Sequence, residues 1–142
     1  SFVHLERLAK LASDYDASSK VFIGKSDCDG WKCKGMMVHC RGRDMVAGDS
    51  TPGWACGGPG MLISRPLVEG MSQKQCTKYY GQDPAPVCCG DMALSCCAWD
   101  AWEGFQVTNT DFFSPGNFTN LMKPDQSMVA IHKVTPDVTR EL

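Results

Sequence analysis

No run of basic residues appears in this chain of 142 residues, and its formal net charge is only −2. A nucleic-acid partner or an anionic membrane surface asks for the opposite, a dense cationic patch. No apolar stretch reaches the eighteen residues that would cross a bilayer as a helix, and the first residues lack the pattern of a secretory signal. Membrane attachment is therefore expected only through a segment not in this chain. Internal repeats and low-complexity tracts are missing as well.

What the chain does have is cysteine, nine in all: Cys28, Cys33, Cys40, Cys56, Cys76, Cys88, Cys89, Cys96 and Cys97. So many in one short domain point to disulfides and an oxidising compartment. Asn117-Phe118-Thr119 spells an N-glycosylation acceptor and agrees with that compartment, so the lumen of the secretory pathway or the exterior is expected. A zinc site from Cys28, Cys33, His39 and Cys40 is an open alternative, although its spacings are looser than paired zinc knuckles. The hydrophobic fraction of 43% suits a globular core, and residues 1–142 are read as a single domain.

Val3, Leu5, Leu8, Leu11, Ala12 and Tyr15 predict a helix from Val3 to Tyr15, with no strand before it, and Val21-Phe22-Ile23-Gly24 predicts a short buried strand. Residues 25–53 read as a disulfide-braced loop, with Met36-Met37-Val38 adding an edge strand. A glycine knot, Gly57-Gly58-Pro59-Gly60, opens an apolar run, and Pro66 marks the start of a helix continuing towards Tyr79. Gly81 to Pro86 is a turn-rich break, and Asp91 to Trp102 predicts another helix. Residues 105–126 read mostly as loop, closed by a strand from Ser127 to Lys133. Helices alternating with short strands point to an α/β architecture, with more strands needed than the chain displays. It is expected to be the C-terminal part of something larger.

Glycines at a junction let the backbone approach a ligand, and an acid in the first turn of a helix can face a cleft. Gly57, Gly58, Gly60 and Asp91 therefore suggest a shaped pocket with one carboxylate at its edge. Asp91 has a plainer reading, a helix-terminal charge worth about 0.3–1 kcal/mol. Trp54 has a plain reading as a core residue. Arg65 reads as a solvated side chain at a helix start, and His4 and His39 as surface or structural residues.

Four blocks in order carry a resemblance: Ser1-Phe2-Val3 with its helix and Val21 to Gly24, Trp54 to Ser64, Gly90 to Cys96, and Ile131 to Pro136. With them the chain resembles the fringe-like β-1,3-glycosyltransferases of glycosyltransferase family 31. The resemblance implies a nucleotide-sugar transferase fold of the GT-A type, disulfide-bearing. It also implies a metal-dependent inverting transfer from a UDP-sugar to a hydroxyl of a glycan or glycoprotein acceptor. On that resemblance Asp91 would be the hydroxyl-activating base. His132 would be a ligand for Mn²⁺ or another divalent metal, and Trp54, Gly57, Gly58 and Gly60 would touch donor or acceptor.

Two departures stand against the family pattern. Its Asp-x-Asp motif should lie just before Ser1 and is absent, so this chain alone is not expected to turn over. The first acid of the later pair is replaced by Gly90. Asp27-Cys28-Asp29 spells Asp-x-Asp but follows the strand of Val21 to Gly24, and it reads as a turn. The other reading left open is a non-catalytic, secreted, cysteine-rich binding or assembly module that retains a glycosyltransferase-like fold.

Overall fold

The computed structural model describes residues 2–26, 37–46, 53–80, 90–114 and 129–131. The expectations for His132, Asn117, Cys28, Cys33, Cys88, Cys89, Asp27 and the break from Gly81 to Pro86 lie outside them.

The first helix, α1 (Leu5–Ser13), begins where His4 accepts a bond from the Arg7 N–H at 3.4 Å, with Glu6 in its first turn and Lys10 in its last. These charges complement the helix dipole at both ends. Leu8 and Leu11 pack with Tyr15 on Ile23, Phe113 and Val129. Beyond the helix, the Asp16 carboxylate accepts from the Ser18 N–H at 2.9 Å and from its hydroxyl at 2.7 Å, which holds a turn there. The helix is shorter than its period predicts because Phe2–Val3 is drawn into a strand, β1, that pairs antiparallel with β8 (Ala130–Ile131). A strand therefore does precede the helix, contrary to expectation.

The strand predicted at Val21 to Gly24 is β2 (Phe22–Gly24), with all three residues buried. It lies between β5 (Met61–Ile63), antiparallel, and β6 (Thr108–Asn109), parallel. In the other three-stranded sheet β8 lies between β1 and a parallel β7 (Phe113–Ser114). The glycine knot thus leads into a strand and only then into a helix, because β2 takes Met61–Ile63 as its partner. Residues 105–126 likewise hold β6 and β7 where loop was expected.

Residues 37–46 form a hairpin of β3 (Met37–Cys40), which takes up the edge strand expected at Met37 and Val38, and β4 (Arg43–Val46), which lies where loop was expected. Arg41 and Gly42 turn it with φ of 49° and 78°, as a two-residue turn of the primed class requires. The helix expected from Pro66 to Tyr79 is two: α2 (Arg65–Gly70) and α3 (Gln73–Tyr80). Gly70, a poor helix former, ends the first.

The helix at the centre of the core is α4 (Gly90–Ala101), one residue off its predicted start. Met92, Ala93, Ser95, Cys96, Cys97 and Ala98 are all buried, so the helix is covered on several sides. The hydroxyl of Ser95 donates to the Asp91 carbonyl at 2.9 Å, which satisfies the one buried polar side chain of the described core. Val38, Trp54 and Tyr79 cover one side of α4, while Phe22, Leu67 and Phe105 gather around Ala98 on another.

Disulfides were expected and are present. Cys40–Cys96 ties β3 to α4, and Cys76–Cys97 ties α3 to it, with Cα atoms 5.6 and 5.1 Å apart. Cys56 is disulfide-bonded as well. The sulfur of Cys40 is therefore unavailable to the zinc site considered above, and His39 Nδ1 lies 2.9 Å from Asp44 Oδ1.

Candidate functional site at the carboxyl end of the central strands

The parallel strands β2 and β6 end side by side, Gly24 opposite Asn109, and β5 begins at the same end with Met61 opposite Gly24. Crevices outside the carboxyl ends of strands are where open α/β sheets place their ligands. Residues 53–56 cross this end closely: a Cβ on Gly24 would lie 2.6 Å from the Ala55 Cβ, and the Cys56 N–H donates to the Lys25 carbonyl at 2.7 Å. Only glycine at position 24 admits that crossing. The Lys25 ammonium meets Asp111 at 2.6 Å, the Ser26 N–H donates to Asn109 Oδ1 at 3.0 Å, and the Thr110 N–H to the Gly24 carbonyl at 3.1 Å. Residues 109–111 are thereby strapped to the end of β2.

The glycine turn opens on the same end. The Gly60 N–H donates to the Gly57 carbonyl at 3.1 Å, and Gly60 has a φ of 96°, where a side chain would be strained. Against this turn stands the first turn of α4. Asp91 Oδ2 accepts from the Gly57 N–H at 2.9 Å and Oδ1 from the Met92 N–H at 2.9 Å. A Cβ on Gly57 would lie only 3.2 Å from the Asp91 Cβ, so the missing side chain permits the approach. The structure thus brings the glycine turn and the lone acid into direct contact.

Asp91 is half-buried, and burial raises its carboxyl above the usual aspartate value, opposed by the N–H groups of Gly57 and Met92. The backbone N–H of Asp91 itself also bonds the carboxylate and, like those of Gly57 and Met92, lowers its pKa. A carboxylate so held can take a proton, and its raised pKa makes it a better base than a solvated aspartate. Tyr80 is close by: a Cβ on Gly90 would stand 3.4 Å from its ring edge, and burial and the charge of Asp91 raise its hydroxyl pKa.

The other expected site residues fall differently. Gly58 is exposed beside Gly57 in the turn. Trp54 is 7% exposed and packs with the core around α4, which leaves it little face for a sugar. His132 and Asn117 lie outside the described residues. Arg65 is exposed and bonds Glu69 at 2.7 Å, as expected of a solvated side chain. Among the described residues no group of three histidine, cysteine or acidic side chains could hold a metal ion. The described residues alone therefore do not make up a divalent-cation site.

A cavity of about 220 Å³ lies elsewhere, between α1 and the opposite ends of β2 and β5, lined among others by Tyr15, Val21, Leu62 and Ser64. Its Ser64 hydroxyl accepts from the Val21 N–H at 2.8 Å, so that polar group is engaged in holding the strands. Sequence reasoning missed Tyr80 and the Lys25–Asp111 strap. A tyrosine closing a helix just before a turn-rich break is the one signal it could have used.

A mixed α/β chain with a glycine turn and a poised carboxylate at the end of its central strands has the layout of a ligand-binding α/β enzyme domain. Residues 1–119 match the Fringe-like family, and the chain belongs to it. Membership implies a glycosyltransferase fold and, by resemblance, a glycosyltransferase. No curated protein and no solved structure matches the chain. No helix among the described residues is long and apolar enough to cross a membrane.

Proposed function

We propose that this protein transfers a sugar from a UDP-sugar to a hydroxyl of a glycan or glycoprotein, with inversion and a β-1,3 linkage, in the secretory pathway. The observation that carries the reading is Asp91, a half-buried carboxylate of raised pKa held by the Gly57 N–H beside an open glycine turn.

In the proposed reaction Asp91 accepts the proton of the acceptor hydroxyl as its oxygen attacks the anomeric carbon. The new carbon–oxygen bond forms on the face opposite the leaving group, and the old one breaks with its electron pair departing on UDP. The configuration inverts in one displacement. The N–H donors of Gly57 and Met92 fix the direction from which the base approaches, and orientation of this kind is a large part of catalytic power. Gly58 and Gly60 leave backbone open to donor or acceptor. When bound, a divalent cation, Mn²⁺ for preference, would neutralise charge on the departing pyrophosphate, with His132 as a ligand; imidazole suits Mn²⁺ better than Mg²⁺.

Calorimetric titration of UDP into the full-length gene product, with and without Mn²⁺, tests this reading. Mn²⁺-dependent affinity and transfer from a UDP-sugar are expected, with residues 1–142 alone inactive. A protein that binds no UDP under either condition would instead be a secreted binding or assembly module, and the reading would fall.

A further inference from the structure

Beside the proposed base stands an aromatic ring to which neither the sequence reading nor the family match assigns a role. Tyr80 is 51% exposed, a large value for such a side chain in a domain whose other described aromatics are mostly covered. Its backbone is tightly held. Tyr79, next to it, is buried and its hydroxyl donates to Asp100 at 2.5 Å. Cys76, one helical turn earlier and so on the same face of α3, is bonded to Cys97 of α4. Going from Cys76 to Tyr80 along α3 corresponds to going back from Cys97 to Gly90 along α4, so the two helices run antiparallel. The free end of α3 thus delivers Tyr80 to the first turn of α4. There Gly90 has no side chain, and the Tyr80 ring edge occupies the space a neighbour would contest, 3.4 Å from where a Cβ would stand.

We propose that Tyr80 is the acceptor platform: its ring stacks against the C–H face of a pyranose whose hydroxyl points to Asp91. The proposal rests on the sugar-transfer reading and names the substrate class of that same site. A pyranose offers both surfaces this corner provides for, an apolar face for an aromatic plane and hydroxyls for a carboxylate. A tyrosine side chain has few rotatable bonds, so it loses little freedom on binding, and it keeps a polar edge towards water.

The test is saturation-transfer NMR of the full-length protein with methyl β-D-galactopyranoside and methyl β-D-glucopyranoside, for wild type, Tyr80→Phe, Tyr80→Leu and Tyr80→Ala. Melting curves confirm that each variant folds, as expected of a half-exposed position. Saturation of the sugar ring protons in wild type and Tyr80→Phe, and its loss in the Leu and Ala variants, is expected. In transfer assays Tyr80→Ala should raise the acceptor KM about tenfold with kcat within about twofold, the mark of lost uniform binding. Saturation that persists in Tyr80→Ala, or is missing from wild type with both glycosides, overturns the platform. Transfer with a wild-type acceptor KM in Tyr80→Ala overturns it too, and leaves the sugar-transfer reading standing. A wild-type protein with no transfer from any UDP-sugar would sink that reading, whereas the NMR result decides Tyr80 by itself.

Discussion

Replacing Gly57 with alanine tests how closely the turn and the carboxylate are matched. The new Cβ would meet the Asp91 Cβ at 3.2 Å and its Oδ2 at 3.5 Å. Carbon pairs settle at about 3.5–4.0 Å, so either the turn or the first turn of α4 must give by about 0.3 Å or more. Gly57 does not have a positive φ, so the substitution adds no backbone strain and the effect is one of contact alone. The Gly57 N–H bond to the carboxylate, 2.9 Å long, stretches. A hydrogen bond to a charged group contributes roughly 1.5–3 kcal/mol, of which a part is lost. Stiffening the unfolded chain returns about 0.4–1 kcal/mol. The net destabilisation should be about 0.5–2 kcal/mol, a fall in melting temperature of roughly 1–8 °C for a domain of this size. Activity should suffer more. A misplacement of 1 Å can cost about a hundredfold, so a third of that costs roughly three- to tenfold in transfer rate. Thermal unfolding and initial rates from a UDP-sugar, measured on the full-length protein, give both numbers. A variant that melts and transfers like wild type would refute the packing argument. One that loses activity only in proportion to unfolded protein would refute the orienting role.

Three further outcomes are expected. Gly24→Ala places a Cβ 2.6 Å from that of Ala55 in a buried strand, and urea unfolding should register a loss of about 1–3 kcal/mol; an unchanged midpoint contradicts the close crossing. Reduction should lower the melting temperature sharply, because the Cys76–Cys97 and Cys40–Cys96 bridges close separations of 21 and 56 residues. Chain entropy assigns such loops about 3 and 4 kcal/mol. The pH profile of kcat/KM should fall on its acid side as Asp91 takes up a proton, and burial sets that fall above the ordinary aspartate value of 3.8. The same shift makes Asp91 favour the fold most below its unfolded pKa, a contribution lost as pH rises through the folded pKa. An acid limb at or below 3.8 would contradict the burial of the carboxyl.

Much of the fold is local enough to read from the chain. The period of Leu8 and Leu11 marks α1, the apolar run before Gly24 marks β2, and Asp91 marks the start of α4 within a residue. Strands of two residues such as β1, β6 and β7 have no period to detect and exist because a partner strand reaches them. The turn and second strand of the hairpin were hidden because Arg41 occupies a left-handed position that asparagine or glycine usually signals. The break between α2 and α3 was hidden because Val68 and Met71 keep the apolar pattern running across Gly70. At the site, glycines and a carboxylate could be named from the sequence, but their bond depends on the start of α4 approaching the turn at Gly57, 34 residues away in the chain. The place of Tyr80 beside Asp91 was hidden for a related reason, since it depends on the bridge from Cys76 to Cys97 that draws α3 against α4. Trp54 shows the limit from the other side: an aromatic residue beside a glycine turn suits core and site equally well until its burial is known.

The central claim is that Asp91 takes the acceptor proton, and the substitution Asp91→Asn in the full-length protein tests it most directly. Asparagine has nearly the same shape but one acceptor oxygen for two N–H donors, so a loss of about 1–3 kcal/mol in stability is expected while the fold persists. Measured on folded protein at saturating donor and acceptor, kcat should drop by about a hundredfold or more. A variant that melts lower yet keeps more than roughly a tenth of the wild-type kcat would contradict the account, and Asp91 would be a cap on α4 with no part in the chemistry.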